Sequence, residues 1–321
     1  MANHALIGQF GPEFTVPVER GHVRQFAKAA YANVPVHIDD ERAIIPATWL
    51  VSAGVLWGYT LERPRDTLLE SIDHDLSVPL HAEESYKFVG DMPRVGDQLR
   101  ARTCLESIKT RRGSRGGELT FLVMLTEFRN TKGTLVAEAR ATTVTTEKSP
   151  DNDDWGSAVP EYHPNYDDIE SRDPFASIAR QQWCDLSIGQ SPGAISTGPL
   201  TLFEMVSFQA SGGEMNPLHY DEAHARSMGF PGMFGLGMQP ASALASYAGR
   251  WLGEENVREF RARFPNVFWV GDPLTYSGKI VNLRNEEGRK IADVELECRR
   301  DTDDATVAHV WMSYEWDRTL S

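Results

Sequence analysis

The chain contains the same set of short motifs twice. Residues 33–39 and residues 216–221 each place a proline two positions before a histidine and an aspartate two positions after it. A Val-Gly-Asp tripeptide follows in each half, at residues 95–97 and residues 270–272. Motifs that recur in one order at nearly constant spacing indicate a duplicated structural unit. The sequence therefore predicts two copies of one fold in a single chain.

The predicted secondary structure around the motifs also repeats. A helix-compatible stretch precedes each histidine motif, at residues 23–31 and 202–210, and an apolar helix follows it, at residues 46–59 and 240–252. Segments rich in β-branched and aromatic residues come after each Val-Gly-Asp, and glycine turns between them favour antiparallel hairpins. These segments are residues 119–126, 135–145, 276–281, 291–298 and 305–316. We therefore expect an α+β double hotdog fold, in which each repeat is a curled antiparallel sheet wrapped around a long central helix.

A linker between the two repeats is indicated by composition. Residues 148–180 are rich in Asp, Pro and Ser, which is typical of a connecting segment. We therefore predict an N-terminal hotdog repeat over residues 1–147 and a C-terminal repeat over residues 181–321. A length of 321 residues with 41% apolar residues suits two domains, each with its own hydrophobic core.

Charge and composition exclude several classes of function. The net charge of −14 opposes binding to nucleic-acid phosphates or anionic lipids, so we expect neither partner. No apolar stretch is long enough for a transmembrane helix, and the first ten residues do not resemble a signal peptide. Three widely separated cysteines fit buried thiols in a cytoplasmic protein, without disulfides or a zinc site. The glycines at 232–237 do not fit the dinucleotide-binding fingerprint, so no nucleotide cofactor is expected.

The most specific pattern lies between residues 211 and 238. Residues 211–221 read Ser-Gly-Gly-Glu-Met-Asn-Pro-Leu-His-Tyr-Asp, and Gly-Phe and Gly-Met follow at 229–230 and 237–238. This segment resembles the MaoC-like, R-specific enoyl-CoA hydratase family, whose motif is Ser-Gly-Asp-x-Asn-Pro-(Ile/Leu)-His-x-Asp, followed by Gly-Phe and His-Gly-Met. The first half is similar to the N-terminal dehydratase-like domain of that family, through Pro-Ala-Thr at 46–48 and Leu-His-Ala-Glu at 80–83.

The resemblance implies a hydro-lyase that interconverts a trans-2-enoyl thioester and an (R)-3-hydroxyacyl thioester, carried by coenzyme A or by an acyl-carrier protein. It implies that Glu214 is the catalytic base and that His219 holds the same water molecule and shuttles its proton. A backbone N–H near Gly237, at the start of a helix, would stabilise the enolate oxygen. Asn216 would support the loop through its hydrogen bonds. The implied reaction uses no cofactor and no metal.

Three positions depart from the family motif. Glu214 stands where the family has Asp, Leu236 replaces the His of His-Gly-Met, and Gly212 replaces the first Ser. The first half departs further, because Ala32 stands five positions before His37, where an acid would be needed. We therefore predict that the N-terminal repeat is catalytically silent and that the chain carries one active site.

Several alternatives remain open at the level of sequence. The departures from the motif are compatible with another thioester reaction, such as hydrolysis or conjugate addition, on the same scaffold. A non-catalytic subunit that binds thioesters is a third possibility. The motif does not select hydration over dehydration, and a homodimer is a further expectation.

Overall fold

The fold is described from a computed structural model, over residues 3–72, 80–113, 117–146, 158–161 and 172–316. Ten strands and six α-helices occur in these ranges. In chain order they are β1 (Phe14–Pro17), α1 (Arg20–Ala29), α2 (Pro35–Ile38), α3 (Val51–Trp57), β2 (Leu80–Phe88), β3 (Gln98–Arg112), β4 (Glu118–Arg129), β5 (Leu135–Thr146), β6 (Ile195–Pro199), α4 (Leu202–Gly212), α5 (Glu222–Ser227), α6 (Met238–Leu252), β7 (Val257–Arg263), β8 (Pro273–Glu286), β9 (Arg289–Arg300) and β10 (Ala305–Trp316).

All ten strands form one sheet, in the order β1-β3-β4-β5-β2-β7-β10-β9-β8-β6. Each neighbouring pair is antiparallel. From the β2–β7 junction outwards, the N-terminal strands follow the order β2, β5, β4, β3, β1 and the C-terminal strands follow the order β7, β10, β9, β8, β6. Each C-terminal strand therefore occupies the position of its N-terminal counterpart. Two five-stranded repeats are therefore joined edge to edge, which is the double hotdog fold predicted from the sequence.

Matching hydrogen bonds explain why Val-Gly-Asp occurs in both repeats. The carboxylate of Asp97 accepts the backbone N–H of Arg94 at 2.8 Å, and that of Asp272 accepts the N–H of Trp269 at 2.7 Å. The glycine before each aspartate has a positive φ, +91° in the first repeat and +89° in the second. A side chain is disfavoured in that conformation, so the turn requires glycine.

The two central helices differ in length. Helix α6 has 15 residues, and all but Arg250 are buried. Helix α3 has only 7 residues, so the helix predicted over residues 46–59 is shorter than expected. At the start of α3, the N–H groups of Trp49 and Ser52 donate to carbonyls three residues earlier, and the hydroxyl of Ser52 also donates to the Trp49 carbonyl. These local hydrogen bonds replace the regular α-helical ones, in which each N–H donates to the carbonyl four residues earlier.

The predicted linker, residues 148–180, remains a prediction because residues 147–157 and 162–171 lie outside the described ranges. Two of the three cysteines are buried as expected, but Cys184 is exposed. It lies in a short 3₁₀ turn outside the sheet, where little apolar surface covers it. No helix in the described ranges is long and apolar enough to cross a membrane.

Candidate active site

A cavity of about 850 Å³ brings the predicted site residues together. Glu214, Asn216, His219 and Gly237 of the C-terminal repeat all line it. Its wall continues into the N-terminal repeat, where residues of α3, β2 and the inner faces of β3, β4 and β5 contribute. The site motif of one repeat therefore opens into a space formed by both.

The end of helix α4 positions Glu214. Gly213 terminates the helix in the left-handed region, with φ +72°, and the backbone N–H of Glu214 donates to the Gln209 carbonyl at 3.1 Å. This is the arrangement in which a glycine reverses the chain after a helix. A Cβ atom at Gly213 would also clash with the side chain of Leu56. Backbone conformation and close packing both explain the glycine immediately before the predicted base.

Local hydrogen bonds hold the loop after Glu214. Its Oε1 accepts the backbone N–H of Asn216 at 2.7 Å. The side chain of Asn216 in turn accepts the N–H of Leu218 at 3.1 Å, and the Gln209 amide donates to the Asn216 carbonyl at 3.4 Å. Asn216 therefore takes part in each of these three hydrogen bonds, and its predicted role in supporting the loop stays a prediction. The second carboxylate oxygen of Glu214 has no hydrogen-bond partner among the described residues.

His219 has its ring orientation and tautomer set by the backbone. Its Nδ1 lies 2.7 Å from the carbonyl oxygen of Phe234, which can only accept, so Nδ1 carries the hydrogen. The Phe234 ring also packs edge-on against the imidazole, with the ring centroids 5.0 Å apart. Burial lowers the pKa of His219 and outweighs the opposing effect of the Phe234 carbonyl. The side chain is therefore a neutral imidazole whose Nε2 lone pair can accept a proton.

Gly237 stands at the N-terminus of α6. It is the residue before the first helical position, where backbone N–H groups point out of the helix without intrahelical partners. The Phe264 side chain lies against it so closely that a Cβ atom at Gly237 would approach the ring to 2.6 Å. Such a helix start favours negative charge, as the predicted oxyanion role requires.

The N-terminal repeat keeps the histidine but not the cavity around it. The Nδ1 of His37 bonds to the Ile44 carbonyl at 2.8 Å, in the manner of His219 and Phe234. Its Nε2 faces a carboxylate oxygen of Glu254 at 3.4 Å, and both side chains are buried. Neither lines the cavity, and Ala32 is also buried.

A second acid–histidine pair lies in the cavity wall, and the sequence prediction missed it. On β2, the Nε2 of His81 lies 2.9 Å from a carboxylate oxygen of Glu84. Burial alone would lower the pKa of His81, but the hydrogen bond and the charge of Glu84 raise it. The only sequence signal was the Leu-His-Ala-Glu segment at residues 80–83. Residues three apart on a regular strand point to opposite faces, so their spacing gave no sign of a pair.

Sequence comparison assigns both repeats to dehydratase families. Residues 5–139 match the family described as FAS1-like, dehydratase domain region, and residues 185–302 match the MaoC like domain. No curated protein matches the chain by sequence.

Solved structures share the fold over nearly the whole chain. A MaoC-like dehydratase is 21% identical with a TM-score of 0.74, and the match covers 97% of this chain and 98% of that one. A MaoC-like dehydratase from Phytophthora capsici is 15% identical with a TM-score of 0.67, covering 99% of this chain and 100% of the other. A conserved hypothetical protein from Mycobacterium tuberculosis, described as having a double hotdog fold, is 11% identical with a TM-score of 0.57, covering 95% and 96%.

The two family matches follow one another along the chain in the same order as the two repeats of the sheet. Hydration and dehydration of thioesters is the general chemistry of such domains. The chain belongs to the MaoC-like dehydratase family, in its double hotdog form.

Proposed function

We propose that the protein is a hydro-lyase that adds water to a trans-2-enoyl thioester to give the (R)-3-hydroxyacyl thioester, or catalyses the reverse reaction. The observation that carries this proposal is that Glu214 and His219 line one cavity, each with an uncommitted acceptor atom. Two such acceptors can hold and deprotonate one water molecule.

In the proposed mechanism, the Glu214 carboxylate and the His219 Nε2 hold the attacking water. As the water oxygen bonds to the β-carbon, Glu214 takes a proton from it, and His219 helps to deliver that proton to the α-carbon. The hydroxyl thus goes to one carbon and the proton to the other, and both side chains return to their starting states. Negative charge develops on the thioester oxygen meanwhile, and the N–H groups near Gly237 stabilise it.

The acyl chain is proposed to extend into the N-terminal repeat. There the cavity runs along the inner face of the sheet, beside the short helix α3. Its wall at this point combines threonines and alanines with larger apolar side chains of β4: Thr103, Thr126, Ala139, Ala141, Thr143, Leu119, Met124 and Phe128. A repeat that has lost its own site would in this way serve as the acyl chamber of the other.

The test is to incubate the protein with trans-2-enoyl-CoAs of several chain lengths and to follow the loss of enone absorbance. Glu214→Gln should lower the rate by about 100-fold or more, as expected when a general base is removed. Glu222→Gln is the matched control, because Glu222 is exposed on α5 and, among the described residues, forms an ion pair with Arg226 only. No turnover at any chain length, or undiminished turnover in Glu214→Gln, contradicts the proposal.

The same assay separates hydration from thioester hydrolysis. A water molecule held by Glu214 and His219 could attack the carbonyl carbon instead of the β-carbon, and the thiol would then leave. Release of free thiol without a hydroxyacyl product would identify that reaction. Release of hydroxyacyl thioester without free thiol is the outcome we expect.

A further inference from the structure

A β-bulge turns two ionisable side chains of β2 towards the cavity. In the pairing of β2 with β5, His81 lies opposite Thr143 and Glu84 lies opposite Ala141. The two β2 residues are three positions apart in sequence, whereas their β5 partners are only two positions apart. The extra residue, Ala82, is the bulge, and such an insertion re-aims the side chains around it. His81 and Glu84 consequently face the same side of the sheet and both line the cavity.

The buried carboxylate of Glu84 holds the more accessible ring of His81 in place. The Glu84 side chain is 5% exposed and the His81 side chain 34% exposed, and the two are joined at 2.9 Å. A carboxylate buried on the inner face of a sheet is stable only with a partner, and His81 supplies a charged one. An imidazolium has two N–H groups. Glu84 accepts the one on Nε2, and the backbone of Glu83 also lies close to the ring. The pair thus keeps a cation with a further donor in the cavity wall.

The pair lies between the reaction site and the acyl chamber. The His81 ring is 4.9 Å from the ring of Phe264, which in turn packs on Gly237 at the predicted oxyanion position. In the other direction, His81 is opposite Thr143, one of the threonines that line the chamber. An acyl chain that runs from Gly237 into the chamber passes His81 after its reacting carbons.

We propose that His81, held by Glu84, determines substrate specificity by donating a hydrogen bond to an oxygen atom on the acyl chain. The substrate class is then an oxygenated acyl thioester rather than a plain alkyl one. The inference rests on the proposed function and specifies the substrate of the same site. An alkyl chain at this point would place an apolar surface against the partly exposed His81 ring. A site built to hydrogen-bond a substrate oxygen discriminates strongly against an analogue that lacks it.

The experiment compares two trans-2-enoyl-CoAs of equal chain length, one ending in a methyl group and the other in a hydroxyl group. We expect the wild type to prefer the hydroxylated substrate in kcat/KM by about tenfold or more, the worth of one hydrogen bond to a charged donor. The double variant H81L/E84Q removes the donor without leaving an unpaired buried carboxylate, and its preference should fall towards one. His309 and Glu295 form the control pair, also 2.9 Å apart but outside the cavity, and H309L/E295Q should keep the wild-type preference.

A binding measurement separates this inference from the proposed reaction. The dissociation constants of the matching saturated acyl-CoAs, one methyl-terminated and one hydroxyl-terminated, are measured by calorimetry for the wild type and the double variant. A preference that is present in the wild type and lost in H81L/E84Q supports the inference even when no enoyl thioester is hydrated. Equal affinity of the wild type for both ligands overturns it. An equal fall in kcat/KM for both substrates in H81L/E84Q, with the preference retained, also overturns it.

Discussion

The Nδ1–H of His219 donates to the backbone carbonyl of Phe234 at 2.7 Å, which leaves Nε2 as the basic atom of the ring. The N-terminal repeat makes the same bond from His37 to Ile44. One ring lines a cavity, however, and the other is packed against Glu254. Duplication has therefore preserved how the histidine is held while its surroundings have diverged.

The first prediction concerns the dependence of the proposed activity on pH. Because burial holds the pKa of His219 below its ordinary value of 6.5, the neutral ring persists to lower pH than usual. The acid limb of kcat/KM, in which the ring becomes protonated, should therefore have its midpoint below pH 6.5. A pH profile of kcat/KM with an enoyl-CoA measures this. An acid limb centred above 6.5 would show that protonation of His219 is not what lowers the activity.

The second prediction compares two glycines near the site, Gly237 at the start of α6 and Gly212 at the end of α4. Gly237→Ala should lower kcat by about 100-fold, because the new methyl group meets Phe264 and displaces the N–H groups at the start of α6. Gly212→Ala is the control, since a Cβ atom there has no neighbour within 4 Å and φ is not positive. It should keep near-wild-type kcat. An equal fall in kcat for the two variants would contradict the proposed oxyanion role of Gly237.

The third prediction concerns the glutamate that replaces the family aspartate. In Glu214→Asp the carboxylate retreats by about 1 Å, while the loop remains fixed by the bonds of Asn216 to Gln209 and Leu218. The variant should therefore lose about 100-fold in kcat/KM rather than regain a family-like rate. Steady-state kinetics on one enoyl-CoA will show which occurs. A rate equal to or above the wild type would mean that the loop tolerates either length.

Features that depend on local sequence patterns could be predicted from the sequence. The paired histidine motifs and the Val-Gly-Asp tripeptides predicted the duplicated sheet, because each requires a particular turn that only certain residues allow. The motif likewise pointed to Glu214 and His219, which the fold then places on one cavity.

Features that depend on contacts between distant segments were not predictable in this way. The His81–Glu84 pair exists only because β2 bulges against β5, and the bulge is a property of strand pairing rather than of the β2 sequence. His37 of the first repeat contacts Glu254 of the second, and the two residues are too far apart in the sequence for a local pattern to predict the contact. The short helix α3 was missed because its apolar composition suits a longer helix equally well.

The last prediction tests whether the N-terminal repeat is silent. His37→Leu removes the partner of the buried Glu254 carboxyl group, so the free energy of unfolding should fall by about 1–3 kcal/mol. The kcat/KM of the folded variant should equal that of the wild type, because His37 does not line the cavity. His219→Leu is the matched substitution in the other repeat and should abolish turnover. Denaturant unfolding and initial rates on the same samples separate the two effects. If His37→Leu reduced kcat/KM as much as His219→Leu does, the N-terminal repeat would have to contribute to catalysis.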